Sequence, residues 1–590
     1  MEVNAYIQEA IALAQGGRVA DAIVKLEAAL REHPQSAQVR GLLGTILNSV
    51  GRTSDAIVHL QRASELAPNV APVAFQLGAI LVAAGEPLRG LPYMQRAVDL
   101  DGSWVPGLLG FARALQGVGD FDRSEGIYRR ALAVDPRNAD AACGLAGMLM
   151  ASGRQKDAVQ LFRIAGRDHP GDMGVQGKLL SALNYADDAT PEEVFDAHAR
   201  WGRLAIVGGE PDWKSANQRD AQKRIRVGLL STDLWEHSVG YFLRPLLTHR
   251  DKAELEFICY STVAKADWMT AELRAAADGW RDVSACNERT LVDTIRADGL
   301  DVLIELSGHT GNGPLAALKR RAAPVQATYL GYPNTTGLAT IDWRIVDEVT
   351  DPAGAEKCHT ERLARIDGCF VCYGGPGQDF GEWAVAPRGP HRPDQPITFG
   401  SFNSIRKLGP EVVKTWASVL KAVPGSRLVI KTRGIGTPAA RRNFTSAFAS
   451  RGIDGERLEL REVVNDKWEH LGSYHEIDIA LDTFPYNGTT TTCEALWMGT
   501  PVVALCGQTH AGRVGASILR TVGLPELVAQ TPEQFVQIAA GLAQDRERLR
   551  DLQQRLVQQA RNSTLCDGPG MAVRFERVVR QMWQDWCERA

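Results

Sequence analysis

The sequence contains no run of about 18 uninterrupted apolar residues, so no membrane-spanning helix is expected. Its start, Met1-Glu2-Val3-Asn4-Ala5, has neither a basic stretch nor an apolar one, so no secretory leader is expected there. No excess of either charge sign exists: the net charge is −4. That balance disfavours nucleic acid or an anionic membrane as the principal partner, since both select basic surfaces. Cysteine is sparse, at ten in 590 residues, and scattered, which excludes a disulfide framework and suits a reducing cytoplasm. Cys369-Phe-Val-Cys372 has no second ligand pair at a zinc spacing, although Cys358-His359 lies nearby, and reads as buried thiols in an apolar strand. Also missing are a GxGxxG after a strand, a GxxxxGK[ST] loop and an HExxH helix. Dinucleotide redox chemistry, P-loop hydrolysis and zincin proteolysis lose their main support with them.

What is present begins with a repeat. Glycine recurs every 34 residues at Gly17, Gly51, Gly85, Gly119 and Gly153, and alanine in the same register at Ala29, Ala63, Ala97, Ala131 and Ala165. A third small column runs Ala22, Ala56, Gly90, Ser124 and Ala158, and proline stands at Pro34, Pro68, Pro136 and Pro170. The glycine ends a first helix in a left-handed cap. The two small columns lie seven apart on a second helix and let its neighbours approach closely, and the proline stops that helix. Period and pattern resemble the tetratricopeptide repeat, over about residues 5–172. Such arrays present concave surfaces that hold extended polypeptides, so a protein partner is expected.

From 174 to about 222 the period lapses. Thr190-Pro191-Glu192-Glu193 opens a helix with a cap, a first-position proline and acidic first-turn residues, as part of a bridge between the repeats and the C-terminal part of the chain. After Arg224, apolar runs alternate with helical stretches, as in parallel sheets covered on both faces. The candidate strands are Ile225–Ser231, Leu255–Ser261, Val302–Leu306, Val325–Gly331, Ile397–Phe402, Arg427–Lys431, Leu458–Arg461, Asp478–Asp482 and Pro501–Cys506. The Gly/Pro-rich stretch Gly374–Pro396 separates two sets of them and reads as a linker. An amphipathic helix over Met571–Arg589 closes the chain and packs back across the domains. The expected class is α + α/β: a repeat solenoid (residues 1–172), a helical bridge (173–222) and two doubly wound α/β domains (223–385 and 386–590), with a ligand cleft at the carboxyl ends of the strands.

Three stretches carry chemistry toward that cleft. In Asp482–Trp497 a strand ends, a turn with Pro485 and Asn487-Gly488 comes next, and a helix begins among Thr489, Thr490, Thr491 and Thr492. Free backbone N–H groups and hydroxyls at a helix start form an anion site suited to a diphosphate, though an ordinary threonine-capped helix would show the same run. Phe399–Lys407 is a second strand-to-loop junction and ends in Arg406 and Lys407, where a cation can neutralise a departing phosphate. Lys467-Trp468-Glu469-His470 offers a flat histidine suited to stacking on a base, and His237 comes just after the first strand of the first half.

Together with Leu330–Gly337, these stretches resemble the tetratricopeptide-containing O-linked N-acetylglucosamine transferases and their SPINDLY-type relatives. The resemblance implies a GT-B fold, a nucleotide-sugar co-substrate (UDP-N-acetylglucosamine first), inversion at the anomeric carbon, no cofactor and no metal. It also implies Ser/Thr acceptors on proteins held by the repeat groove, a cytoplasmic setting, and allows a homodimer formed through the repeats. Carried over residue by residue, His237 matches the active-site histidine and Lys407 the diphosphate-binding lysine. His470 matches the histidine beside the base, Lys467 a lysine contacting the nucleotide, and Thr490, Thr491 and Thr492 the phosphate-contacting helix start. Glu494 stands where animal enzymes carry an aspartate to the ribose.

The match departs from the animal pattern at Ser404, a glutamine there, at Tyr486, a cysteine there, and at Thr489, a histidine there. Asp482–Glu494 is closer to the SPINDLY branch, some of whose members use GDP-fucose. A GDP-fucose donor, another sugar placed on a bacterial surface protein such as flagellin, and an inactive repeat scaffold therefore stay open beside UDP-N-acetylglucosamine. The general base is left unassigned.

Overall fold

The computed structural model describes residues 2–206, 215, 217–263, 265–311, 313–376, 395–464 and 466–589. Most of the expected linker, including Pro387, Pro390 and Pro393 and the 385/386 boundary, lies outside the described residues, as do 207–214 of the bridge. The chain divides into two compact units, one up to Leu149 and one from Met150. The division therefore falls within the fifth 34-residue period rather than after it.

In the first unit, helical hairpins keep to the period: Val3–Gln15 with Val19–Glu32, Ala37–Ser49 with Thr53–Leu66, Ala71–Ala83 with Pro87–Leu100, and Val105–Gly117 with Phe121–Val134. Gly17, Gly51, Gly85 and Gly119 take φ of +78°, +80°, +84° and +77°, left-handed values that only glycine adopts without strain. After each glycine the next N–H reaches back to the carbonyl five residues earlier, as in Arg52 to Leu47 and Asp120 to Leu115, both at 2.9 Å. Ala29, Ala63, Ala97 and Ala131 are fully buried. A close helix contact lies at Gly78 and Gly90, where a Cβ on Gly78 would stand 2.7 Å from the Gly90 carbonyl oxygen.

The second unit opens with helices Gln155–Asp168, Met173–Leu183 and Pro191–Ile206. Thr190 Oγ1 accepts the Glu193 N–H at 3.1 Å, the cap expected from its sequence. Two parallel sheets come after them. The first holds β1 (Ile225–Ser231), β2 (Leu255–Ser261), β3 (Gly279–Asp282), β4 (Val302–Glu305), β5 (Val325–Thr328), β6 (Trp343–Val346) and β7 (Arg362–Arg365), in spatial order β3-β2-β1-β4-β5-β6-β7. The second holds β8 (Thr398–Ser401), β9 (Arg427–Lys431), β10 (Leu458–Arg461), β11 (Ile479–Leu481), β12 (Val502–Leu505) and β13 (Val528–Ala529), in order β10-β9-β8-β11-β12-β13.

β3, β6, β7 and β13 are absent from the sequence expectation. β3 and β7 lie at the sheet edges with half-exposed, polar residues, and β13 has only two residues, so none of these three shows an apolar run. β5 stops at Thr328 rather than Gly331 because Leu330 takes φ +50° and breaks the ladder. Gly331 then sits so close to the preceding loop that a Cβ would lie 1.6 Å from the Leu306 carbonyl oxygen.

The Leu330–Gly337 stretch is an anchor for the bridge helices. The Arg344 guanidinium donates to the Tyr332 carbonyl at 2.9 Å, and Glu361 accepts the Thr336 N–H at 2.7 Å. His198 Nε2 and the Asn184 amide meet the Tyr332 hydroxyl at 2.8 and 2.9 Å. Gly202 packs against Gly337 where no Cβ would fit. The last helix runs Gly568–Glu588, one turn earlier than expected, because Asp567 caps it through the Gly570 N–H at 2.9 Å. It packs on the first sheet's side: Phe575 meets Phe257 and Tyr329, and Trp583 Nε1 donates to the Asp220 carbonyl at 2.8 Å.

Candidate active site

In each sheet the strand order reverses at one point, between β1 and β4 and between β8 and β11. Loops leaving such neighbouring strands diverge to opposite faces and open a crevice at their carboxyl ends. His237 comes after β1, Ser404 and Lys407 after β8, and Thr490, Thr491, Thr492 and Glu494 after β11. Lys467 and His470 come after β10, in helix Lys467–Gly472.

Lys407 lies in the short turn Ile405–Lys407. Its Nζ donates to the Asn487 carbonyl at 2.6 Å and lies 3.9 Å from the Tyr486 ring centre. Nearby, Asp482 is buried: Oδ1 accepts the Gly488 and Thr483 N–H groups at 2.7 and 2.8 Å, while Oδ2 has no hydrogen-bond partner. Burial pushes the Lys407 ammonium below the ordinary lysine range and the Asp482 carboxyl above the ordinary carboxylate range, and their mutual attraction opposes both shifts. Ser404 is exposed at the start of the same turn.

Helix Thr490–Trp497 begins just past the Asn487-Gly488 turn, and Thr489 does not cap it through its side chain. Its first backbone N–H groups are therefore left to whatever lies in front of them. Thr490 Oγ1 donates to Ser238 Oγ at 2.7 Å, which joins the start of helix Ser238–His249 to this helix start. Thr491 Oγ1 donates to Asn403 Oδ1 at 3.1 Å. Thr492 is buried and its hydroxyl donates to the Gly488 carbonyl at 3.2 Å, which leaves its backbone N–H as the group available to an anion. Gly488 is required by closeness, since a Cβ there would stand 2.4 Å from Thr491 Oγ1.

The second cluster lies beside the first. His470 Nε2 stands 3.2 Å from Glu494 Oε2, and the Tyr474 hydroxyl reaches the same oxygen at 3.4 Å. Lys467 Nζ hydrogen-bonds the Tyr241 hydroxyl and lies 3.7 Å from Glu236 Oε1 and 5.2 Å from the centre of the Trp268 ring. Lys431, at the end of β9, donates to the His470 carbonyl at 3.0 Å. Desolvation lowers Lys431 and Lys467 each to about 8.

His237 occupies the cap position of helix Ser238–His249, where Nδ1 accepts the Val239 N–H at 3.4 Å. Its ring stacks on Trp235, and Asp233 Oδ1 is 3.8 Å from Nδ1, beyond hydrogen-bond reach. Burial lowers the imidazole below its ordinary value, which favours the neutral ring. With Nδ1 accepting, that ring carries its proton on Nε2.

Sequence reasoning missed Asp482 as a buried charge, Lys431, Tyr241, Trp268, Tyr474 and Asn403. Asp482 and Lys431 had a signal, a charged residue closing an apolar strand at its carboxyl end. The aromatic residues had none, because they come together only through tertiary packing. Cys369 and Cys372 are buried, with the Cys369 thiol pushed up to about 12 by desolvation, as befits inert core thiols. Among the described residues no group of three or more His, Cys, Asp or Glu side chains could hold a metal ion, and no helix is long and apolar enough to cross a membrane.

The chain matches Glycosyl transferase family 41 over residues 196–375 and 385–572, and Tetratricopeptide repeat over 12–81 and 109–172. It is 39% identical over 418 residues to the Arabidopsis thaliana protein named "Probable UDP-N-acetylglucosamine--peptide N-acetylglucosaminyltransferase SPINDLY", covering 70% of this chain and 45% of that one. The Solanum lycopersicum protein of the same name is also 39% identical, over 70% of this chain and 44% of its own length. The chain thus spans somewhat under half the length of these relatives. Among solved structures it is similar to a Thermobaculum terrenum O-GlcNAc transferase mutant, 33% identical with a TM-score of 0.76, covering 88% of this chain and 99% of that one. A tetratricopeptide array followed by two parallel-sheet α/β domains, with cationic and threonine-bearing loops at the switch point of the second sheet, places the chain in glycosyl transferase family 41.

Proposed function

We propose that this protein is an inverting, metal-independent protein O-glycosyltransferase that moves a sugar, N-acetylglucosamine from UDP-N-acetylglucosamine first, onto Ser or Thr of polypeptides held by its repeats. The observation that carries this is the pairing of Lys407 with the start of helix Thr490–Trp497 around the Asn487-Gly488 turn. A nucleoside diphosphate leaving the anomeric carbon develops negative charge on its terminal phosphate. An ammonium group and open helix N–H groups stabilise that charge without a divalent ion. The reaction is one displacement: the acceptor oxygen bonds to the anomeric carbon as the sugar–phosphate bond breaks, the diphosphate departs with the bonding pair, and the acceptor's hydroxyl proton passes to water or to the departing diphosphate.

In this scheme Lys407, Thr490, Thr491 and the Thr492 N–H hold the diphosphate, with Ser404 at the rim. His470 and Lys467 take the base, and Glu494, braced by His470, takes the ribose hydroxyls. His237, with its proton on Nε2, acts as a donor that orients substrate, because abstraction of the acceptor proton would need the other tautomer. The proposed division is repeats to residue 172, a bridge to 222, and catalytic domains on either side of 385/386.

A GDP-sugar is the second donor. It is favoured by the Asp482–Glu494 stretch, Tyr486 included, which is closer to the SPINDLY branch, some of whose members use GDP-fucose. A thermal-shift screen of UDP-, GDP- and CMP-sugars separates the donors, since a bound donor raises the melting temperature by mass action. Sugar transfer to protein from none of them, with a folded chain, would leave the scaffold reading in its place.

A further inference from the structure

Four contacts run from the helices just after Met150 onto the segment that carries Lys407 and the tyrosine packed on it. Gln155, 2% exposed, donates from Nε2 to the Ile405 carbonyl at 2.5 Å, two residues before Lys407. Its Oε1 has no hydrogen-bond partner, so the side chain is held there for its donor. Tyr185 packs on Tyr486 with ring centres 5.3 Å apart, on the ring that itself lies against the Lys407 ammonium, and its hydroxyl meets the Arg406 side chain. Asp187 accepts the Glu411 N–H at 3.2 Å. It thereby caps helix Pro410–Ala422, whose own cap position, Gly409, has no side chain to do so.

We infer that Gln155, Tyr185 and Asp187 are positioning residues for Lys407, so that the last repeat helix and the bridge form part of the donor site. The turn Ile405–Lys407 is a single 3₁₀ turn with little stability of its own. Its carbonyl at Ile405 points at Gln155, the first residue of the last repeat helix. That carbonyl also accepts the Leu408 N–H at 3.1 Å, so losing the Gln155 donor leaves it one partner instead of two and removes the tie that fixes the turn against the repeat helix, freeing it to re-aim the ammonium. A fifth contact sets the control: Asn443 donates to the Ser152 carbonyl at 3.1 Å, so it belongs to the same packing but lies away from the Lys407 turn.

The inference rests on the glycosyltransfer reading, and the test separates the two. In the full chain, acceptor-independent hydrolysis of UDP-N-acetylglucosamine, or of GDP-fucose where the first is not turned over, is measured together with transfer to a protein acceptor. Gln155→Met is expected to lower kcat for both reactions about tenfold, the size of one lost buried hydrogen bond, with the acceptor KM unchanged. Asn443→Ala is expected to lower the melting temperature with kcat unchanged. Where Gln155→Met does not fold, Asp187→Ala provides the same readout. Wild-type turnover with an unimpaired Gln155→Met overturns the inference alone, as does an equal kcat loss in Asn443→Ala. A folded wild-type chain that transfers no sugar to protein from UDP-, GDP- or CMP-sugars overturns the transferase reading and the inference with it.

Discussion

In the helical unit the charges sit outside and the small residues inside. Arg18–Asp21, Arg52–Asp55 and Arg62–Glu65 pair three residues apart, each with about half of both side chains exposed. Exposed pairs of this kind contribute about 0.2–1 kcal/mol each. The interior is held instead by the 34-residue columns of alanine and glycine, whose lack of bulk sets how closely the helices approach. The sheet-bearing unit is arranged the other way. Asp482, Glu305, Arg344 and Lys431 are buried at or near strand ends, each held by hydrogen bonds to backbone or to neighbouring side chains. Burying charge is unfavourable unless it is partnered. One interior is closed by small side chains; the other keeps charge inside by partnering it, with Glu305 and Arg344 bracing loops and Asp482 and Lys431 beside the proposed donor site.

The largest expected effect that would break this contrast is at Lys407. Lys407→Ala should cut transfer by about 10²–10³-fold, the loss seen when one stabiliser of developing negative charge is removed, with the melting temperature preserved. Unchanged turnover would sink the leaving-group role. Next comes pH. Lys407 is depressed from 10.5 to about 8, so kcat/KM should fall about tenfold per unit on the alkaline side as the ammonium is lost. Stability should move oppositely. Between about 8 and 10.5 the unfolded chain still binds a proton that the folded one has released, so the Lys407 contribution to folding grows with pH. Lys431 and Lys467, both lowered to about 8, act in the same direction. A pH–rate profile run beside denaturant melts reads both limbs, and parallel declines would contradict the assignment.

Glu494→Ala should raise the donor KM about tenfold with a smaller change in kcat, as expected for binding lost equally from ground and transition states. A kcat-only effect would move Glu494 out of the ribose site. Within the repeats, Gly78→Ala should destabilise the chain by about 1–3 kcal/mol, because its methyl group would meet the Gly90 carbonyl and Met94. Donor hydrolysis by the folded fraction should be unaffected, and denaturant unfolding with that assay checks both halves. The smallest effect is expected from EDTA: transfer rates should match those of the untreated protein, and a loss restored by a divalent ion would overturn the metal-independent mechanism.

Much of this architecture was legible because its causes are local or periodic. The left-handed glycines of the repeats announce themselves by spacing, and most of the nine expected parallel strands by their apolar runs. Lys407 and Thr490–Thr492 are visible because strand-to-loop junctions with cations and hydroxyls carry a chemical meaning by themselves. Thr492 shows the limit: its hydroxyl turns inward to Gly488, a choice made by helix-start geometry that residue type cannot reveal. The edge strands β3 and β7 escaped for a related reason, since half-exposed strands need no apolar run.

The sequence by itself determined the helical period, the parallel character of the sheets and the residue types at their carboxyl ends, because each arises from short-range sterics and burial. Only the tertiary structure decided that Asp482 lies buried near Lys407, that His470 braces Glu494, and that Gln155 reaches the Ile405 carbonyl 250 residues away. Such contacts depend on which surfaces meet after the elements have formed, and no local spacing encodes that meeting.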